Sequence, residues 1–124
     1  MGIGNARDLN RFLAEPLSFW SAEFMQDWKD HADWQLIPEY MRPAIMAYVD
    51  YGQPGAEFVE ALFSNQFTLV CLTADMCNRQ RLYDYATFLV GHVPALCQGS
   101  PRAYADWIEI GGLTGVARQI ANHI

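Results

Sequence analysis

The residues of this 124-residue chain with the readiest nucleophilic or metal-binding chemistry are its three cysteines and three histidines. Cys97 lies five residues beyond His92 across Pro94, and Asp106 follows, so a thiol, a base and an orienting acid stand in one stretch. Composition alone supplies such pairs, and no motif supports this one. Asp27, Asp30 and His31 share a helix face at i, i+3 and i+4, the geometric minimum for a metal. Asp33 points away from that face, and no second ligand pair has a recognisable spacing. Paired carboxylates with acid–base spacing, phosphate-binding glycine loops and hydrolase or zinc-protease motifs are absent. The expectation is a non-enzyme with no catalytic residues, no cofactor and no metal.

The acidity is local. Of a net charge of −6, residues 15–60 contribute nine acids against Lys29 and Arg42, a net of −7. Residues 1–14 carry +1 and residues 61–124 are neutral. Direct contact with nucleic acid or an anionic membrane is therefore not expected, because phosphate binding needs clustered Lys and Arg. The same acidic stretch holds Trp20, Trp28 and Trp34, three of the four tryptophans. At about 100° per helical residue, Trp20, Phe24 and Trp28 form one stripe, and Glu23, Asp27 and Asp30 form an adjacent one. The aromatics can be core and the acids a solvated face. Alternatively Trp20, Glu23, Asp27, Trp28, Asp30, Asp33 and Trp34 are a partner-binding surface, with aromatic anchors and an acidic rim selecting a basic protein.

The elements that must position these residues are helical, since apolar residues recur at three- and four-residue spacing and strand-like alternation is scarce. A short helix over Leu9, Phe12 and Leu13 ends at Pro16, and Ser18 caps a second helix to about Asp33. A third runs from Pro38 to Tyr51, with Pro43 kinking it or marking its true start, and Gly52 closes it. Phe58, Val59, Leu62 and Phe63 belong to a short helix; Phe67–Ala74 is a short buried helix, with a buried strand as the alternative. Asp75 caps a long helix to His92 with Leu82, Tyr85, Phe88 and Leu89 inward. Ser100 and Pro101 open the next, Gly111-Gly112 stop it, and Thr114 caps the last. The fold class is all-α: one domain, a compact orthogonal bundle of about six to seven short helices. Cys71 and Cys77 read as small core residues. The odd cysteine count and the lack of a signal-like or membrane-spanning run place the chain in the cytoplasm.

From Ile37 onward the chain carries Ile37-Pro38-Glu39-Tyr40-Met41-Arg42, Tyr48, Gly52, Pro54-Gly55, Phe58, Ala61 and Ser64-Asn65. It continues with Ala74-Asp75, Asn78, Phe88-Leu89, Pro94, Cys97, Gly99-Ser100-Pro101 and Trp107. This pattern resembles a family of small proteins of phages and prophages of Gram-negative bacteria. The resemblance covers about residues 37–113; residues 1–36, with the aromatic-acidic stretch, form an N-terminal extension outside it. Gln66-Phe67 departs from the Asp-Leu of that pattern. The resemblance implies a phage accessory protein acting in the host cytoplasm. Joined to the charge map, it points to an inhibitor of a host defence component, of the anti-CRISPR kind. Its partner would be a basic, nucleic-acid-handling protein. The matched polar residues Arg42, Asn65, Asp75 and Asn78 suggest a second reading, a pocket for a nucleotide or other small molecule. A third is an oligomeric structural or regulatory phage component, such as a homodimer, with exposed tryptophans as its contact.

Overall fold

The computed structural model describes residues 22–123, which form eight α-helices and three 3-10 turns with no strand among the described residues. The helices are α1 (Ala22–His31), α2 (Arg42–Tyr51), α3 (Glu57–Phe63), α4 (Phe67–Thr73), α5 (Met76–Arg79), α6 (Leu82–His92), α7 (Pro101–Ile110) and α8 (Gly112–His123). The 3-10 turns are Trp34–Leu36, Glu39–Met41 and Ala95–Cys97. The chain is thus the compact all-α bundle expected; the helix expected over Leu9, Phe12 and Leu13 lies outside the described residues.

Local chemistry sets most boundaries. Pro43 lies in the first turn of α2, where its missing N–H costs nothing, so it marks the helix start rather than a kink. Ser100 accepts from the Ala103 N–H at the head of α7, and Asp75 accepts from the Asn78 N–H at the head of α5. The expected single helix from Asp75 to His92 is instead two: Arg81 leaves helical geometry, and its guanidinium bonds the Gln35 carbonyl and Asp84. The last helix begins at Gly112, so Thr114 lies within it rather than capping it.

The core gathers around α2. Tyr48 is fully buried, stacks on Tyr104 at 4.9 Å, packs against Phe63 at 4.6 Å, and donates its hydroxyl to the Cys97 carbonyl at 2.7 Å. The Trp107 indole N–H is shared between the Tyr48 and Val49 carbonyls at 3.1 and 3.2 Å, satisfying acceptors in the last turn of α2. Each large aromatic therefore fills volume and gives its polar handle a partner. Gly52 ends α2 at φ +67°, and a Cβ there would stand 2.7 Å from the Trp107 carbonyl oxygen and 2.8 Å from the Gly112 nitrogen. Bare backbone at that point lets α2, α7 and α8 meet closely.

Candidate functional site

The aromatic-acidic segment separates into a buried layer and an exposed one. Trp28 keeps only 8% of its surface exposed, and its indole N–H donates to Asp50 Oδ1 at 2.8 Å. The other oxygen of that buried carboxylate takes the Lys29 ammonium at 2.5 Å. Asp50 thus holds two consecutive α1 residues to the end of α2, with both its oxygens occupied. A buried carboxylate needs such partners, because an unpaired one would carry the full desolvation cost. Trp34, half-buried, lies 5.7 Å from Trp28 and 4.9 Å from Phe88, and donates its indole N–H to the Lys29 carbonyl at 2.7 Å. The expectation that Trp28 serves as a partner-facing anchor is corrected: it is core. Trp34 spends most of its surface in the same cluster. Trp20 lies outside the described residues, and Glu23 falls in the first turn of α1.

The acids above this layer remain exposed at Asp27, Asp30 and Asp33. Asp27 pairs with His31 at 3.1 Å, Asp30 accepts from the Gln26 amide at 3.0 Å, and Asp33 accepts from the Gln35 N–H at the first 3-10 turn. His31 is held above the ordinary imidazole range, first by its bond to the Asp27 backbone carbonyl and then by the Asp27 and Asp30 charges. Among the described residues no group of three His, Cys, Asp or Glu side chains could hold a metal ion. The Asp27–Asp30–His31 face therefore supplies one ion pair, not a ligand set.

The four polar residues read as a pocket have separate structural tasks. Arg42 Nε donates to the Ile37 carbonyl at 3.1 Å, closing the turn that leads into α2. Asn65 adopts a left-handed φ of +57° between α3 and α4, a conformation asparagine tolerates better than most residues. Asp75 and Asn78 do come together through the Asn78 N–H, and each also meets a tyrosine whose hydrogen bond the sequence did not assign. Tyr40 donates to Asp75 Oδ2 at 2.6 Å, and Tyr85 donates to the buried Asn78 Oδ1 at 2.6 Å. The Tyr40 hydroxyl, then the Asn78 N–H, hold the Asp75 carboxyl below the usual range; the same bond to Asp75 pushes the Tyr40 phenol up. Arg42 thus spends its Nε on the Ile37 carbonyl.

The cysteines also sort differently from expectation. Cys97 is fully buried and its thiol donates to the Pro94 carbonyl; burial pushes the thiol well above the ordinary range, which suppresses the nucleophilic thiolate. His92 packs on the Phe88 ring at 5.7 Å. Cys77, expected in the core, is exposed, and Cys71 is half-buried. Both follow from the placement of α4 and α5 on the surface. In α4 only Val70 is buried, while Phe67, Leu69 and Leu72 face outward. The helix form expected for Phe67–Ala74 is right, and its burial is corrected.

No family model, curated protein or solved structure matches this chain. Among the described residues no helix is long and apolar enough to cross a membrane.

Proposed function

We propose that this chain is a non-enzymatic binding protein that presents the carboxylates of α1 and the following turn to a basic, nucleic-acid-handling protein. In the setting implied by the phage-like pattern, that partner is a host defence component, and the chain acts as its inhibitor. One observation carries the reading: Asp27, Asp30 and Asp33 stay exposed on a segment whose underside is held by Trp28, Lys29 and Asp50. Rigid mounting matters because a preorganised charged face loses less conformational entropy on binding than a flexible one. The concentration of charge in residues 15–60 supports the same reading, since carboxylates set at fixed spacing repel DNA yet suit a groove built for phosphates.

The test neutralises the face without removing its caps. Asn replaces Asp at a cap such as Asp33 with little loss, and Asp27 and Asp30 are exposed, so Asp27→Asn, Asp30→Asn and Asp33→Asn together leave the fold in place. In a bacterial host with a nuclease-based defence, the wild-type chain is expected to raise the plating efficiency of a targeted phage, and the triple variant to fail. No rise with the wild-type chain in hosts carrying such defences, or an equal rise with the triple variant, overturns the proposal.

A further inference from the structure

Asp50 joins two successive residues of α1 to the end of α2. Its buried carboxylate takes the Trp28 indole N–H on one oxygen at 2.8 Å and the Lys29 ammonium on the other at 2.5 Å. Within residues 26–31, Gln26, Asp27, Asp30 and His31 are exposed, so Trp28 and Lys29 are the pair that α1 turns toward the body there. Lys29 is also the only lysine of the chain; every other Lys or Arg position is arginine.

The body is braced without this tie. The same turn of α2 gives its Tyr48 and Val49 carbonyls to the Trp107 indole N–H, and Gly52 sets bare backbone against Gly112 of α8. Past α1 the chain is fixed to the body again almost at once. Trp34 lies 4.9 Å from Phe88, the Gln35 carbonyl takes the Arg81 guanidinium, and Ile37 is fully buried. Ala32 and Asp33, outside any helix, stand between α1 and these anchorages. A ten-residue helix is marginal in water alone, so α1 keeps its form by docking, and undocking and unwinding are one event. Opening returns both latch charges to water, and that hydration offsets much of the lost attraction. Segments of this kind open as contiguous units at lower cost than the core. We infer that α1 is a strap latched by the Asp50 carboxylate between Trp28 and Lys29, and that it opens about Ala32 and Asp33 while α2 to α8 stay folded. The closed state is the ground state, and the inference stands whether or not Asp27 and Asp30 bind a partner.

Two chemical probes on the full chain separate strap from body, with amide hydrogen exchange beside them. An acetyl succinimidyl ester finds its one side-chain amine at Lys29. N-ethylmaleimide reaches Cys97 only when the body opens, because that thiol is fully buried, and peptide mapping separates it from the more accessible Cys71 and Cys77. In the wild-type chain the α1 amides are expected to exchange together, at least about tenfold faster than the amides of α2, as a local opening does against a global one. Asp50→Asn leaves the Lys29 ammonium uncompensated in the closed state. It is expected to speed Lys29 acetylation and α1 exchange by at least about tenfold, with Cys97 still protected. Lys29→Met keeps the side-chain stem, strands the Asp50 carboxylate instead, and is expected to speed α1 exchange in the same direction. Exchange of α1 and α2 at one common rate in the wild-type chain overturns the inference. So does α1 exchange unchanged in both variants, or Cys97 becoming reactive in step with α1 opening in the wild-type chain and both variants. None of these measurements involves a partner, so failure of the strap is distinguishable from failure of the proposed inhibition.

Discussion

The α1 segment and the α4–α5 segment invert what their compositions suggest. The first is dense in charge and tryptophan, and its tryptophans turn inward onto Asp50 and Phe88 while its acids remain in water. The second carries no charge from Phe67 to Ala74, yet it leaves Phe67, Leu69 and Leu72 outside. The difference lies in what each helix can find to pack against. Trp28 and Trp34 have an aromatic neighbour and polar acceptors for their indole N–H groups, so burial satisfies both parts of the side chain. A seven-residue helix such as α4 offers one narrow edge, which Val70 fills against the core, while Phe67, Leu69 and Leu72 stay exposed. Hydrophobicity alone is therefore a poor guide to burial in a chain of very short helices.

The strongest challenge to this contrast is truncation on both sides. Trp28→Ala is expected to cost about 3–5 kcal/mol, the range for a large buried aromatic. Leu72→Ala, read in dilute solution, is expected to stay within about 0.5 kcal/mol, as surface changes do. Urea denaturation of the two variants side by side decides it, and equal losses would abolish the distinction between the two regions. Next in size is Asp50→Ala, which strands the Trp28 N–H and the Lys29 ammonium together. It is expected to cost about 2–4 kcal/mol, because removing one member of a buried pair leaves the other without compensation. A smaller loss for Lys29→Met than for Asp50→Ala would sharpen the assignment of Asp50 as the central member.

The smallest effects are electrostatic and have opposite signs in the two regions. His31 is raised when folded, so its contribution is fully present below the ordinary imidazole value and is lost as pH rises through the folded one. Asp75 is lowered when folded, so its contribution is present above the ordinary carboxyl value and is lost as pH falls through the folded one. Tyr40→Phe removes the largest cause at Asp75 and is expected to bring its titration back toward the ordinary range, followed by NMR of the side-chain carboxyl. Asp27→Asn is expected to lower the His31 titration only partly, since the Asp27 backbone carbonyl remains. A complete return of His31 to the ordinary range would show that the side-chain charge, not the carbonyl, sets its value.

Much of this architecture was legible before any coordinates. Helix starts were written in residues that act on their own next few neighbours: Pro43, Asp75, Ser100 with Pro101, and the helix end at Gly52. The exposure of Asp27, Asp30 and Asp33 followed from charge alone. What escaped were pairings across sequence distance. The break at Arg81 depends on the Gln35 carbonyl, 46 residues away, and no proline or glycine announces it. The Tyr40–Asp75 and Trp28–Asp50 bonds span 35 and 22 residues. Of the four matched polar residues, Asp75 and Asn78 are bonded to each other, Asn78 through its backbone N–H.

Composition and local spacing by themselves determined an all-α chain, its caps and its stretch of acid, because capping, proline geometry and charge solvation act over a few residues. Tertiary structure decided which apolar residues became core. Burial is shared between elements, and a helix's own sequence cannot say whether another element will cover it. Trp28 met Asp50 and Trp34, whereas Phe67 and Leu72 remain largely exposed.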